Sequence, residues 1–204
     1  PDPIDGRFTL ITSTQNAFRV RDVLCEALNL SPTSLRVRAM DVGGGFGMKN
    51  HVYPEEALVL WAAVKLRRGV KWTPDRTEAL CSDQHARHQI GHAALALDRN
   101  GCLLALRTDV VVDMGAYLGG NAIIPSVNTS ASFPGVYKLQ HVHTIIRAAF
   151  TNTSHIGPYR GSGKPEASFI LERLMDKAAR EMNVDPIELR RRNLLQGSDL
   201  PFKT

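Results

Sequence analysis

The chain has 204 residues, of which 43% are hydrophobic and 22% are charged, and its formal net charge is +5. This composition is typical of a soluble folded domain and excludes a disordered or collagen-like chain, and the apolar runs are too short to cross a bilayer. The main basic clusters, at 65–68 and 190–192, contain no interleaved aromatic residues, so we expect no nucleic-acid interface.

The three cysteines are far apart in the chain and form no Cys-x-x-Cys pair. The sequence therefore carries no iron–sulfur or zinc signature of its own, and reduced thiols suit a cytoplasmic protein. The chain begins at Pro1 without a signal-peptide pattern, and we expect it to be a piece of a longer chain.

The first part of the chain alternates predicted strands and helices. Residues 7–12 alternate apolar and polar side chains and predict a strand, whereas 15–29 have the three-and-four spacing of a helix. A second strand is predicted over 35–41 and, after a glycine-rich turn, a second helix over 54–68. Residues 69–73 predict a short strand that ends at a proline.

The second part is predicted to begin with strands and to end with helices. Residues 88–98 and 102–113 predict a β-hairpin around an Asp-Arg-Asn-Gly turn, and the Gly- and Pro-rich segment 114–135 predicts a long loop. The remaining predicted elements are a strand over 139–149, a helix over 165–182, and a last helix that starts at Pro186 after Asp185 as its cap. This order indicates an α+β (mixed α/β) fold with mixed sheets flanked by helices.

The segment 41–49, Asp-Val-Gly-Gly-Gly-Phe-Gly-Met-Lys, is the most informative part of the chain. Four glycines in five positions indicate a backbone that turns sharply or approaches a ligand closely, and bare amides after a strand can cradle an anionic or polar group. The spacing matches neither the dinucleotide fingerprint nor the phosphate loop of nucleotide hydrolases. A structural turn without a ligand is the alternative interpretation.

Three histidines, His85, His88 and His92, are spaced three and four residues apart, which would align them on one face of a helix as zinc ligands. Residues 88–98 are predicted to form a strand, however, and no set of carboxylates accompanies the histidines. We therefore do not expect a zinc site at these residues.

Two further segments frame the glycine-rich loop: Ser-Thr-Gln-Asn at 13–16 and Pro-Tyr-Arg-Gly-Ser-Gly-Lys-Pro-Glu-Ala at 158–167. Together the three segments resemble the molybdenum-binding subunit of the xanthine dehydrogenase/aldehyde oxidase family, a group that includes the carbon monoxide dehydrogenase large subunit. The resemblance extends from about Phe8 to about Leu195. It implies that residues 1–204 are the N-terminal lobe of a molybdopterin-binding domain within a longer subunit.

The resemblance implies three catalytic residues. Gln15 would donate a hydrogen bond from its amide to an oxo group of the metal, Phe46 would wall the substrate cavity, and Arg160 would place its donors beside the molybdenum and the pterin. The implied cofactor-binding residues are Gln15, Gly44, Gly45, Phe46, Gly47, Arg160, Gly161 and Gly163. Molybdenum would be held through the pterin rather than by a side chain. The structural alternatives are a helix cap for Gln15, a core aromatic for Phe46 and a salt bridge for Arg160.

The resemblance also implies an oxidoreductase that hydroxylates an aldehyde or an N-heterocycle with oxygen derived from water. Its cofactors would be molybdenum in molybdopterin, in the cytosine dinucleotide form, together with [2Fe-2S] and FAD on partner domains or subunits. The partners would be an iron–sulfur subunit, a FAD subunit and the rest of the molybdenum subunit, assembled as a dimer of heterotrimers.

Several positions depart from parts of this family. Gly161 stands where the carbon monoxide enzymes have their copper-binding cysteine, which argues against that alternative, and Ser162 and Asn50 replace two residues of the purine enzymes that contact the substrate. Lys164 and Met48 replace an arginine and a small residue. The family's general base, a glutamate near the end of the subunit, has no match here, so we assign none and expect these residues alone to be inactive. A non-catalytic assembly module is the other alternative.

Overall fold

The computed structural model describes residue 2 and residues 4–202. The chain divides into two compact units, Pro1–Gln84 and His85–Thr204, which we call the first and the second unit. Across the described part of the chain, no helix combines the length and the apolar character that crossing a bilayer requires.

The first unit is built around a pair of parallel strands. Strand β1 (Phe8–Ile11) pairs with β2 (Leu35–Arg38), and helix α1 (Ala17–Leu28) connects them. The helix begins after Asn16, whose side-chain oxygen accepts a hydrogen bond from the backbone N–H of Arg19, as an N-cap residue does. The predicted strand–helix–strand order is confirmed, although β2 ends three residues earlier than predicted.

Two more helices complete the first unit, α2 (Pro54–Leu66) and α3 (Arg76–Ser82). The apolar side chains of both strands, α1 and α2 meet in one core, because α1 buries residues one helical turn apart. The buried members of this core are Leu10, Val20, Leu24, Cys25, Leu35 and Leu60. Full burial of each leucine contributes roughly 1.5–3 kcal/mol to the free energy of unfolding.

The second unit contains a three-stranded mixed sheet. Strands β3 (Gln89–Leu97) and β4 (Leu103–Gly115) form the predicted antiparallel hairpin, and β5 (His141–Phe150) pairs with β4 in parallel. Alternate residues of β4 are buried, among them Leu106 and Val110, which is the period-two pattern of a strand with one covered face.

Helices follow and interrupt these strands. They are α4 (Ile124–Ala131), α5 (Lys164–Met182) and α6 (Pro186–Asn193). The largest core of the unit joins β4 to α5 and α6, and it includes the fully buried side chains of Leu139, Met175 and Leu189. Short 3-10 helices occur at Pro32–Ser34, Met48–Asn50 and Gly197–Asp199. This mixture of sheets and flanking helices confirms the predicted α+β class.

Two predictions about local structure are wrong. Residues 69–73 do not form a strand, because no strand of the described part of the chain pairs with them, and alternation alone cannot supply the missing hydrogen bonds. The segment 114–135 is not a continuous loop, because it contains α4. The loop was predicted from the glycines and prolines of this segment, but Pro125 lies in the first turn of the helix, where a proline is accommodated because no N–H is needed.

Candidate functional site

The parallel pairing of β1 and β2 brings two of the three motif segments of the sequence together. Residues 13–16 follow β1 and residues 41–49 follow β2, and the strands pair up to Ile11 opposite Arg38. Since parallel strands end at the same edge of their sheet, the two segments leave the sheet side by side. The first unit therefore places Gln15 next to the glycine-rich loop. Neither segment alone predicts this contact.

Polar contacts tie the two segments along their length. The backbone N–H of Gln15 donates to the carbonyl of Lys49 at 2.8 Å, and the Thr14 hydroxyl donates to the same oxygen at 3.2 Å. The Lys49 ammonium group donates to Ser13 Oγ at 2.8 Å and to the carbonyl of Val42 at 2.9 Å. Lys49 thus stabilises the conformation of the glycine-rich loop through these two hydrogen bonds.

The side chain of Gln15 is oriented by the glycine-rich loop. Its Oε1 accepts a hydrogen bond from the backbone N–H of Gly47 at 2.8 Å. Helix α1 is capped by Asn16 instead, so the interpretation of Gln15 as the helix cap is not supported. With the oxygen engaged, the amide NH2 is the group that Gln15 offers to a ligand.

Two glycines of the loop leave room for their neighbours. A Cβ atom on Gly44 would lie 2.5 Å from Cε2 of Phe46, and one on Gly45 would lie 2.5 Å from Oε1 of Gln15. Phe46 itself has a φ of +53° and is 52% exposed, so its ring is not part of the core of the first unit. The loop therefore presents an aromatic ring and a fixed amide on one surface.

A buried carboxyl group supports the start of this segment. Glu56, in the first turn of α2, accepts hydrogen bonds from the Thr12 hydroxyl at 2.6 Å and from the backbone N–H of Tyr53 at 3.0 Å. Burial raises the pKa of the Glu56 carboxyl. The sequence indicated only a helix start at this position, although a glutamate at the third helical position is a known signal for contact with the preceding backbone.

The second unit contains the other predicted residues. Arg160 has an exposed side chain, and its backbone carbonyl accepts a hydrogen bond from the guanidinium group of Arg87. The Arg87 guanidinium also lies over the Tyr159 ring, 5.1 Å from its centroid. The backbone N–H of Ser162 donates to the carbonyl of Tyr159 at 2.7 Å. The chain thus forms a tight turn here that is held by backbone atoms, and the exposed Arg160 side chain does not take part in these hydrogen bonds.

Gly163 is explained by packing between helices. A Cβ atom there would collide with the carbonyl oxygen of Pro125 and would lie 2.7 Å from the backbone nitrogen of Thr129. The Thr129 hydroxyl also donates to the carbonyl of Gly163 at 3.2 Å. The start of α5 thus contacts α4 directly, and Gly161 stands two residues before this contact. The roles of Gly161 and Gly163 in cofactor binding remain predictions.

Two buried polar atoms of residues that follow Arg160 in the chain have no hydrogen-bond partner among the described residues. They are Oγ of Ser162 and Oε2 of Glu166, and Glu166 is only 8% exposed. Buried polar groups are normally paired, so these atoms mark a place where a ligand or a further protein group would supply the partner. The sequence placed Glu166 in a helix without assigning it a role.

Asp113 at the end of β4 holds the segment that leads to Arg160. Its Oδ1 accepts hydrogen bonds from the Thr151 hydroxyl at 2.6 Å and from the Gly115 N–H at 2.8 Å. Its Oδ2 lies 2.7 Å from Nδ1 of His88 and 3.2 Å from the Thr153 hydroxyl. The hydrogen bond from Thr151, followed by that from Gly115, lowers the pKa of Asp113 to about 2. No sequence motif predicts this network, because its side-chain partners His88, Thr151 and Thr153 are 25 to 40 positions from Asp113.

A scan against protein families matches residues 1–194 to the family described as "Molybdopterin cofactor-binding domain". The chain is 36% identical over 203 residues to the 6-hydroxypseudooxynicotine dehydrogenase complex subunit gamma of Paenarthrobacter nicotinovorans, which covers 99% of the chain and 25% of that protein. It is 31% identical over 208 residues to the carbon monoxide dehydrogenase large chain of Hydrogenophaga pseudoflava, covering 100% of the chain and 26% of that protein.

The fold is similar to that of solved structures. The quinoline 2-oxidoreductase from Pseudomonas putida 86 superposes with a TM-score of 0.93 at 38% identity, over 97% of this chain and 25% of that one. The chain thus spans about a quarter of the length of the relatives that it matches. The match over nearly the whole chain agrees with the predicted extent of the resemblance along the sequence.

Proposed function

The chain belongs to the family of molybdopterin cofactor-binding domains, and we propose that it holds molybdopterin within an oxidoreductase that hydroxylates an aldehyde or an N-heterocycle. The proposal rests above all on Gln15, whose side-chain oxygen is held by the Gly47 amide at 2.8 Å. A glutamine fixed in this way presents its NH2 group outward, as a cofactor with exposed oxygen atoms requires.

Each unit, taken separately, contains residues that suit a part of such a cofactor. In the first unit, glycine at 44 and 45 keeps a cradle open that Cβ atoms would fill. In the second unit, Ser162 Oγ and Glu166 Oε2 are buried without a partner among the described residues, and Arg160, shortly before them in the chain, is exposed. Arginine donors suit the phosphate oxygens of a pterin pyrophosphate.

Each residue has a proposed task. Gln15 donates a hydrogen bond from its NH2 group to an oxygen atom of the cofactor, and the amides of Gly45 and Gly47 line the cradle. Phe46 excludes water with its ring, and Arg160 binds anionic oxygen atoms. When bound, molybdopterin supplies the two-electron redox chemistry. The residue that moves the proton is not assigned to this chain, and we propose that it lies elsewhere in the subunit.

Relatives named for N-heterocyclic substrates favour the heterocycle branch. The names of several similar proteins specify quinoline or nicotine derivatives, and others specify carbon monoxide. Gly161 offers no thiolate for copper at the position next to Arg160, and thiolates are the ligands that Cu(I) selects. We therefore place an aldehyde or N-heterocycle before carbon monoxide as the substrate.

We further propose that the 204 residues are the N-terminal lobe of the molybdopterin-binding domain of a longer cytoplasmic subunit. Its cofactor would be the cytosine dinucleotide form. Its electrons would pass to [2Fe-2S] and FAD on partner domains or subunits, in a dimer of heterotrimers. One similar protein is named as the gamma subunit of a dehydrogenase complex, which supports an assembly of several subunits.

The test is the molybdenum and pterin content of the complete subunit, purified together with its partners. We expect one molybdenum per subunit by elemental analysis and an equal amount of released pterin by fluorescence. Gln15→Leu should lower the rate with a heterocyclic substrate by about 100-fold, the usual cost of removing one donor aimed at the reacting centre. Gln196→Leu, in the second unit, is the matched control.

A subunit without molybdenum and without pterin, produced in a host that makes the cofactor, would contradict the proposal. It would favour the alternative of a non-catalytic assembly module, in which the glycine-rich segments are structural turns. If Gln15→Leu had full cofactor content and unchanged turnover, the proposed function would stand, but Gln15 would not be a catalytic residue.

A further inference from the structure

A second cluster of potential ligand atoms lies in the second unit. The side chains of His85, His88 and Asp113 each provide one nitrogen or oxygen atom, and these three atoms all lie within 4.8 Å of one another. His92, which the sequence spacing grouped with the other two histidines, is not a member. It lies in β3 opposite Asp109, so the spacing indicated the wrong third residue.

The imidazole of His85 has unmet bonding capacity. Both of its ring nitrogens are buried, and neither has a hydrogen-bond partner among the described residues. A buried imidazole normally donates from one nitrogen and accepts at the other. A cation would provide a partner for one of these two nitrogens, whereas the hydrogen bonds of the surrounding backbone are already made.

The backbone around the cluster is held in place. The His85 N–H donates to the carbonyl of His155 at 3.1 Å, and the His85 carbonyl accepts from Gly157 at 2.9 Å. The Asp113 N–H donates to the carbonyl of His88 at 3.0 Å. The backbone positions of the three ligand residues are therefore held by hydrogen bonds of their own.

The charge and the donor types select the ion. Two neutral imidazoles and one carboxylate carry a net charge of −1 and combine nitrogen with oxygen, which is a ligand set for Zn²⁺ with further positions left for water. The distance of 2.7 Å between His88 Nδ1 and Asp113 Oδ2 is that of a hydrogen bond, in which one proton lies between the two atoms. With ligand bonds near 2.0–2.1 Å, a tetrahedral ion in place of that proton would widen the distance to about 3.3 Å.

We propose that His85, His88 and Asp113 form a binding site for a divalent transition-metal cation, with Zn²⁺ as the ion that fits best. The site is open to water, since the His88 side chain is 62% exposed. Ion binding there connects the segment before β3 with the end of β4. The site is independent of molybdopterin, and a subunit without molybdenum would still bind the ion.

The experiment is a titration of the metal-stripped complete subunit with Zn²⁺, followed by a colorimetric chelator in competition. The variants are His85→Gln and His88→Gln, and His92→Gln and His143→Gln are matched controls on the same sheet. In His88→Gln the amide can still donate to Asp113, so the fold is preserved when the ligand is lost. We expect one Zn²⁺ per chain and at least a tenfold loss of affinity in each of the two variants.

X-ray absorption at the zinc edge gives a second readout, with nitrogen and oxygen neighbours at about 2.0–2.2 Å expected. Three results would overturn the proposal. They are failure of the wild type to bind Zn²⁺, unchanged binding in both cluster variants, and an equal loss in the control variants, which would indicate unspecific binding to surface histidines. A loss in only one cluster variant would equally reject a three-ligand site. Molybdenum content, measured on the same samples, reports separately on the proposed function.

Discussion

The two glycine-rich segments of the chain are held by different forces. In the first unit, the loop after β2 is fixed by polar contacts from side chains, among them those of Lys49 and Gln15. In the second unit, the turn before α5 is fixed by backbone contact between helices, at Gly163 and Pro125. One segment is ordered by hydrogen bonds that reach across two strand ends, and the other by packing.

Because the two glycine-rich segments are held differently, we expect substitutions in them to differ in their effects on stability and on ligand binding. A flexible side chain such as that of Gln15 can move when a neighbour is enlarged, whereas a backbone carbonyl in a packed helix pair cannot. The packed segment also keeps two buried polar atoms without a partner among the described residues. We therefore expect a substitution at the packed glycine of the second unit to affect folding more strongly than one at a loop glycine of the first unit, which should act mainly on the cofactor.

The largest effect is expected from Gly163→Ala. The new Cβ would collide with the Pro125 carbonyl, and the residue would keep a φ of +93°, which L-residues adopt only at a cost. Strain and overpacking together should lower the free energy of unfolding by about 3 kcal/mol, measured by urea denaturation. Gly197→Ala is the control, because its Cβ meets no atom within 4 Å. Equal stability of the two variants would show that the helix contact is not tight.

A smaller loss is expected from Asp113→Asn. The carboxylate is 8% exposed and accepts four hydrogen bonds, of which an amide cannot accept all. We expect a loss of about 2 kcal/mol by urea denaturation at pH 7. Asp109→Asn, which removes an exposed ion pair with Arg147, serves as the control and should cost less than about 1 kcal/mol.

The difference in stability between wild type and Asp113→Asn should depend on pH, and the direction of this dependence follows from the lowered pKa of Asp113. Hydrogen bonds hold the pKa of Asp113 at about 2 in the folded protein, below its ordinary value in an unfolded chain. The stabilisation is therefore complete above the unfolded pKa of about 3.9 and is lost as the pH falls toward 2. The gap in stability between wild type and Asp113→Asn should shrink over that range. A gap that stays constant between pH 5 and pH 2.5 would contradict the lowered pKa.

The sequence predicted those elements that a local pattern defines. Helix α5, the hairpin of β3 and β4, and the start of the last helix at Asp185 are all confirmed. The strand predicted at 69–73 is wrong, because strand formation depends on a partner that a local pattern does not reveal. Helix α4 was missed because the Gly- and Pro-rich composition of 114–135 predicted a loop, although its proline lies in the first turn of the helix.

The sequence predicted the motif segments of the candidate site but not the side-chain contacts that join them. The motifs identified Gln15 and the glycine-rich loop, and the parallel pairing of β1 with β2 explains why they meet. No motif indicated that Glu56 supports this segment or that Asp113 gathers four donors. The side-chain contacts of Glu56 with Thr12 and of Asp113 with His88, Thr151 and Thr153 join residues that are 25 to 44 positions apart, and side-chain partners at that separation are set by the fold.

A still smaller effect on stability is expected from Gly45→Ala in the first unit. Its Cβ would displace the side chain of Gln15, which can swing away, so only the hydrogen bond to Gly47 is lost. The free energy of unfolding should fall by about 1 kcal/mol, less than for Gly163→Ala. Molybdenum content of the complete subunit should nevertheless decrease, with Gly69→Ala as the control. A stability loss as large as that of Gly163→Ala would show that the two segments do not differ as proposed.

The smallest effect on stability is expected from Ser162→Ala. The hydroxyl makes no hydrogen bond to the described residues, so without cofactor its removal should change the free energy of unfolding by less than about 0.5 kcal/mol. Ser132→Ala is the matched control, since that hydroxyl donates to the Asn128 carbonyl at 2.6 Å and its loss should cost about 1 kcal/mol. Pterin content of the complete subunit then separates two roles of Ser162. A lower content with unchanged stability assigns the hydroxyl to the cofactor, whereas a loss of stability equal to that of Ser132→Ala means that the protein itself already provides its partner.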